Sequence, residues 1–68
     1  MSEKKFAIIN TIHNDEDVIG LFDTREQAVA FGDAVHKQYL EGILTCEQVT
    51  VDDNNKIVGG FRRLYESW

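Results

Sequence analysis

Proline is absent from this 68-residue chain, cysteine occurs once, and the five glycines are scattered. Without proline there is no polyproline segment or stiff linker, and a lone Cys46 forms no intramolecular disulfide. No apolar run exceeds that of Phe6–Ile9, far short of the ~20 residues that cross a bilayer as a helix. No basic segment followed by a long apolar stretch opens the chain as a secretory signal would. A cytoplasmic location is therefore expected, without membrane insertion. Positive charge is also scarce: seven Lys and Arg stand against twelve Asp and Glu, a formal charge of −5. That balance repels phosphate backbones and anionic lipid, so direct nucleic acid binding is disfavoured.

Apolar residues make up 43% of the chain and charged ones 28%, a globular rather than disordered composition. The length allows one domain, spanning 1–68, with a small core. Lys5–Ile12 (KFAIINTI) is rich in β-branched and aromatic residues and runs into the polar cluster His13–Glu16, so it predicts a first strand. Asp17–Phe22 follows at hairpin distance and returns antiparallel. Thr24 with Gln27 three residues on has capping-box spacing. From that cap Ala28, Phe31, Gly32, Val35 and Tyr39 recur at three- and four-residue steps, predicting an amphipathic helix from Thr24 to Leu40 that Gly42 stops. Ile43–Val51 and Lys56–Tyr65 flank a turn-forming run of Asp and Asn, which predicts a second hairpin.

The expected architecture is α+β, ordered β-β-α-β-β, with one helix packed on a four-stranded, mainly antiparallel sheet. Strands two and three then run in the same direction. Full antiparallelism places another strand between them, in spatial order 2-1-3-4 or 1-2-4-3; direct adjacency demands a right-handed crossover.

One helix covers one face, and a sheet whose other face meets water should alternate apolar and polar residues. These strands are apolar on both parities: Phe6, Ile8 and Ile12 against Ala7 and Ile9, Ile19 and Leu21 against Val18 and Phe22. With a three-residue turn, the second hairpin sets Val49, Val51, Ile57, Phe61 and Tyr65 against Leu44, Cys46, Val58 and Leu64. Exposed apolar patches of this kind mark interfaces, and a chain this small gains from association. A homodimer follows, with Ile9, Val58, Phe61, Tyr65 and Trp68 as candidate interface residues. The competing arrangement is a monomer whose C-terminal segment, Trp68 included, folds over the second face, or whose outer face is merely half apolar, as many surfaces are.

Candidate chemistry is sparse. His13, His36 and Cys46 fall toward one end of this topology, where a thiol and imidazoles could form a nucleophile–base pair or part of a metal site. No CxxC or HxxxH spacing fixes two ligands on one frame, so no metal, cofactor or catalytic residue is assigned. Asp15–Asp17 and Asp52–Asp53 read as solvated turns, lacking calcium-loop spacing. Gly59 and Gly60 within the last strand call for a bulge or a close neighbour, and Gly32 on the helix stripe for an aromatic such as Phe22 or Phe61. Arg62, Arg63, Tyr65 and Trp68 make one basic, aromatic end.

The leading expectation is a non-catalytic protein-interaction module, homodimeric and binding another protein. The alternatives are a ligand-binding or enzymatic dimer with a pocket near His13, His36 and Cys46, and an acidic inhibitor that mimics nucleic acid.

Overall fold

A computed structural model describes residues 2–65 and 68, with Tyr65 described through its backbone. β1 (Glu3–Ile12) and β2 (Asp15–Phe22) lead into α1 (Arg25–Val35) and a 3-10 turn at His36–Gln38, followed by β3 (Ile43–Val51) and β4 (Ile57–Tyr65). All pairings are antiparallel in the order β2-β1-β3-β4, the first of the two arrangements that keep strands two and three apart. No helix among the described residues is long and apolar enough to cross a membrane.

The first hairpin is tighter than the polar cluster implied. His13 and Asn14 adopt φ of 50° and 73°, a two-residue turn of type I′ whose twist matches that of the strands, so β2 starts at Asp15 rather than Asp17. The second turn is longer than three residues. Asp52 organises it: its Oδ1 accepts from the backbone N–H of Asn54 at 2.9 Å and of Lys56 at 3.0 Å, while Asn55 takes φ 60°.

Helix α1 starts where Thr24 and Gln27 place it. The Thr24 hydroxyl accepts from Gln27 N–H at 3.2 Å, and Gln27 Oε1 accepts in return from Thr24 N–H at 3.3 Å. Replacing Thr24 by Ala is expected to cost about 1 kcal/mol, which lowers Tm by roughly 4–8 °C in a domain this small. A thermal melt followed by circular dichroism checks it, and an unchanged Tm would show that the cap contributes nothing.

The other end differs from the expectation: the α-helix finishes at Val35, five residues before Leu40. His36 Nδ1–H donates to the Asp33 carbonyl at 3.0 Å, and Tyr39 N–H donates to the His36 carbonyl at 3.2 Å, tightening the last turn into 3-10 geometry. The reason is tertiary. Ile43 must pair with Thr11 at the Ile12 end of the sheet, so the chain leaves the helix axis early to get there.

Both faces of the sheet carry apolar clusters. On the helix side Ile8, Leu44 and Cys46 pack with Ala28, ringed by Phe6, Ile19, Phe22, Phe31, Val35, Tyr39 and Trp68. Ile19 and Phe22 reach this side together because a bulge in β2 shifts the register between Ile8 and Ile9, placing Val18 opposite Ile9 and Gly20 opposite Ile8. Strict alternation had separated Ile19 from Phe22. On the helix-free face Ala7, Ile9, Val49 and Val51 form a second cluster, flanked by Leu21 of β2 and Ile57 of β4. Its four central residues are 0–1% exposed in a single copy. Lys5, opposite Val49 on this face, keeps only 17% of its side chain exposed while its Nζ reaches Asp23 at 2.7 Å, so its methylene stem lies along the sheet.

Two glycine expectations resolve differently. Gly60 has φ 72° and the Thr50 side chain close against it, so both the bulge and the near neighbour exist. Gly32 makes room for Trp68 and not for Phe22 or Phe61: a Cβ there would collide with the indole ring. Trp68 Nε1–H donates to Asp33 Oδ1. The last residue thus seals the helix side of the sheet and does not roof the helix-free face.

Candidate functional site

His13, His36 and Cys46 do not form a joint site. His13 lies exposed in the first hairpin turn, and His36 sits half-buried at the helix end, bonded to the backbone carbonyl of Asp33. Cys46 lies in mid-strand opposite Ile8, fully buried beneath α1. Burial pushes its thiol above the ordinary value, with Arg25 lowering and Glu47 raising it to lesser extents. A thiol held protonated in an apolar core is a poor nucleophile and a poor metal ligand. Among the described residues no group of three or more His, Cys, Asp and Glu is placed to hold a metal ion.

The raised thiol has a consequence for alkaline stability. Its folded pKa exceeds the usual 9.0, so its contribution is fully present below pH 9.0 and is lost as pH rises through the folded value. Lys5 behaves alike from a higher start: the hydrogen bond it donates to Asp23 raises it above 10.5, with burial partly opposing. Urea midpoints are expected to fall between pH 8 and 11, and Cys46→Ala to remove the part of the fall that begins near pH 9.0. An unchanged alkaline profile in that variant would refute the assignment.

The five candidate interface residues occupy different surroundings. Phe61 is 60% exposed on β4, and by alternation with Arg63 it shares the helix-free face with Glu47. Val58, 59% exposed, lies on β4 at the register shift between the pairs Thr50–Gly59 and Val51–Ile57, on a strand outside the footprint of a helix that packs on β1, β2 and β3. Ile9 lies beneath its neighbours and has almost no accessible area to offer. Trp68 faces α1. The side chain of Tyr65 lies outside the described residues. Further exposed apolar groups rim the helix-free face at Val18, opposite Ile9, and Ile43, opposite Thr11.

Three buried polar residues went unread in the sequence: Asn10, Thr45 and Glu47. The Thr45 hydroxyl donates to Glu47 Oε2 at 3.2 Å, and Arg63 approaches the same oxygen at 3.8 Å across the β3–β4 ladder. This carboxylate is held on the helix-free face by neighbours of its own chain. Asn10 differs. Its Oδ1 is buried and has no hydrogen-bond partner among the described residues. It borders a cleft of about 300 Å³ at the Ile12 end of the sheet, beneath the segment from Lys37 to Gly42. The available signal was a lone amide on the same parity as Phe6, Ile8 and Ile12, a residue type depleted in strands. A second hollow, about 460 Å³, runs along Arg25, Val29 and Asp33 on the helix, and among the described residues no buried unpaired polar atom borders it.

No protein-family model, curated protein or solved structure matches the chain. The chain is a small globular α+β domain.

Proposed function

We propose that this chain is a small cytoplasmic, non-catalytic interaction module that works as a homodimer through the helix-free face of its sheet. The observation that carries the reading is Phe61, a large aromatic 60% exposed on that face, with Val18 and Ile43 exposed on the same side. These groups surround a centre whose own residues are apolar and already packed, so a flat partner surface needs only to cover the rim. A two-fold axis suits the charges, because Lys5 and Arg63 share the face with Glu3 and Glu47 and each sign meets its opposite when the patch pairs with itself.

The test is the mass in solution over a dilution series. Twice the chain mass is expected at high concentration, falling to the single chain on dilution. Phe61→Asp is expected to weaken association by at least about tenfold, since it places a charge under the partner surface where the aromatic ring had been covered. Its fold should survive because Phe61 is mostly exposed in the single copy. A chain that stays single at every concentration sinks the reading.

A further inference from the structure

We propose that the cleft at the Ile12 end of the sheet binds a small neutral molecule that presents a lactam or primary carboxamide on an apolar body, with the Asn10 side chain as its recognition group. Asn10 is 5% exposed, and its Oδ1 has no partner among the described residues. Buried polar atoms are nearly always hydrogen-bonded, and an acceptor left empty carries its full desolvation penalty. The fold itself does not ask for an amide here. Asn10 stands on the helix side of β1 between Ile8 and Ile12, where an apolar residue would serve the packing better.

The surroundings have the make-up of a small-molecule site, apolar walls with one convergent polar group, at the small end of the usual volume range. Ile12, Tyr39 and Leu40 supply the walls. Leu40 is 81% exposed, the most exposed large apolar side chain among the described residues, so the rim of the cleft offers an apolar surface that none of the described residues covers. Gly42 lies directly against Asn10: a Cβ there would strike Oδ1 and the Ile12 side chain, so glycine keeps this end of the cleft from being filled. This is also where the chain abandons the α-helix early and arches from His36 to Gly42, which opens the space.

The ligand class follows from the chemistry of the walls. A carboxamide offers an acceptor beside donors, and its complement is a group with a donor beside an acceptor, as in a lactam or another carboxamide. Lys37 and Glu41 on the rim carry opposite charges, which selects neither an anion nor a cation.

The experiment is a titration of the isotope-labelled full chain by NMR with 2-pyridone and with benzamide, using toluene and benzoate as matched probes lacking the neutral amide. Saturable millimolar binding is expected for the two amides, about tenfold tighter than for the controls, as one well-formed hydrogen bond implies. Shifts should centre on the Asn10 side chain and on the backbone amides of Tyr39 and Gly42. Asn10→Leu should lose that preference while its Tm stays equal or rises, because an unpaired buried acceptor has gone. If 2-pyridone and benzamide do not bind, or bind no better than toluene, the cleft holds water only and the proposal falls. It falls equally if folded Asn10→Leu keeps the preference, or if its Tm drops while the native chain ignores the amides. Should Asn10→Leu fail to fold, the four-probe comparison on the native chain decides alone. None of these readouts depends on whether the chain is single or paired.

Discussion

Ile8→Ala is expected to destabilise the fold by about 2–5 kcal/mol, the range for deleting a large buried aliphatic group. The upper part of that range applies here because the neighbours cannot collapse into the space. Ile8 is fully buried, its cross-strand partners are Gly20 and Cys46, and Ala28 of the helix belongs to the same cluster. All three are small. A domain of this length has a net stability of roughly 3–10 kcal/mol, so the variant loses a large share of that stability. Urea denaturation measures it through a lowered midpoint at unchanged slope. Leu40→Ala, at a position 81% exposed, serves as the control and should stay within about 0.5 kcal/mol of the native chain. A loss below 1 kcal/mol in Ile8→Ala would mean that the helix is not seated on β1 as described.

The same packing explains which parts of the fold could be read from the sequence. The capping box was visible because Thr24 and Gln27 satisfy each other locally, with no need of the rest of the chain. The strands were visible from composition. Their order was not, because both 2-1-3-4 and 1-2-4-3 satisfy antiparallel pairing. What selects the observed order is burial on two faces: β1 supplies Ala7, Ile8 and Ile9 and β3 supplies Cys46, Val49 and Val51, all fully or almost fully buried, so these strands take the centre. The edges go to β2, with Asp15–Asp17, and to β4, with Arg62 and Arg63, charges that discourage further strand addition.

The misplacements are non-local in origin. Period-two counting fails across the β2 bulge, which sends Ile19 and Phe22 to one side. The helical pattern continues to Leu40, yet the need to deliver Ile43 to Thr11 ends the α-helix at Val35. Cys46 was placed near the sheet end with the histidines by counting from the start of β3, whereas its register opposite Ile8 puts it under the helix. The apolar second face was read correctly from both parities, but twist and the flanking Leu21, Ile57 and Lys5 bury its centre within one copy, leaving only the rim to a partner.

Gly32 and Trp68 give the second large effect, one whose sign reverses with context. Replacing an interior helical glycine with alanine ordinarily stabilises by up to about 1 kcal/mol. Here the new Cβ would occupy the position of the Trp68 ring, so Gly32→Ala must displace the indole and break its bond to Asp33. A net loss of about 1–3 kcal/mol is expected, as for other overpacked sites. Trp68 is the sole tryptophan, so its emission reports the displacement directly as a shift to longer wavelength. In a Trp68→Ala background the obstruction is gone, and Gly32→Ala should then stabilise by about 0.5–1 kcal/mol. The four variants of this cycle yield the coupling between the two positions free of each single effect. Equal effects of Gly32→Ala in both backgrounds would mean that the C-terminal indole does not rest on the helix. The helix-side core, ringed by Phe6, Phe22 and Phe31, would then lack the group that closes it.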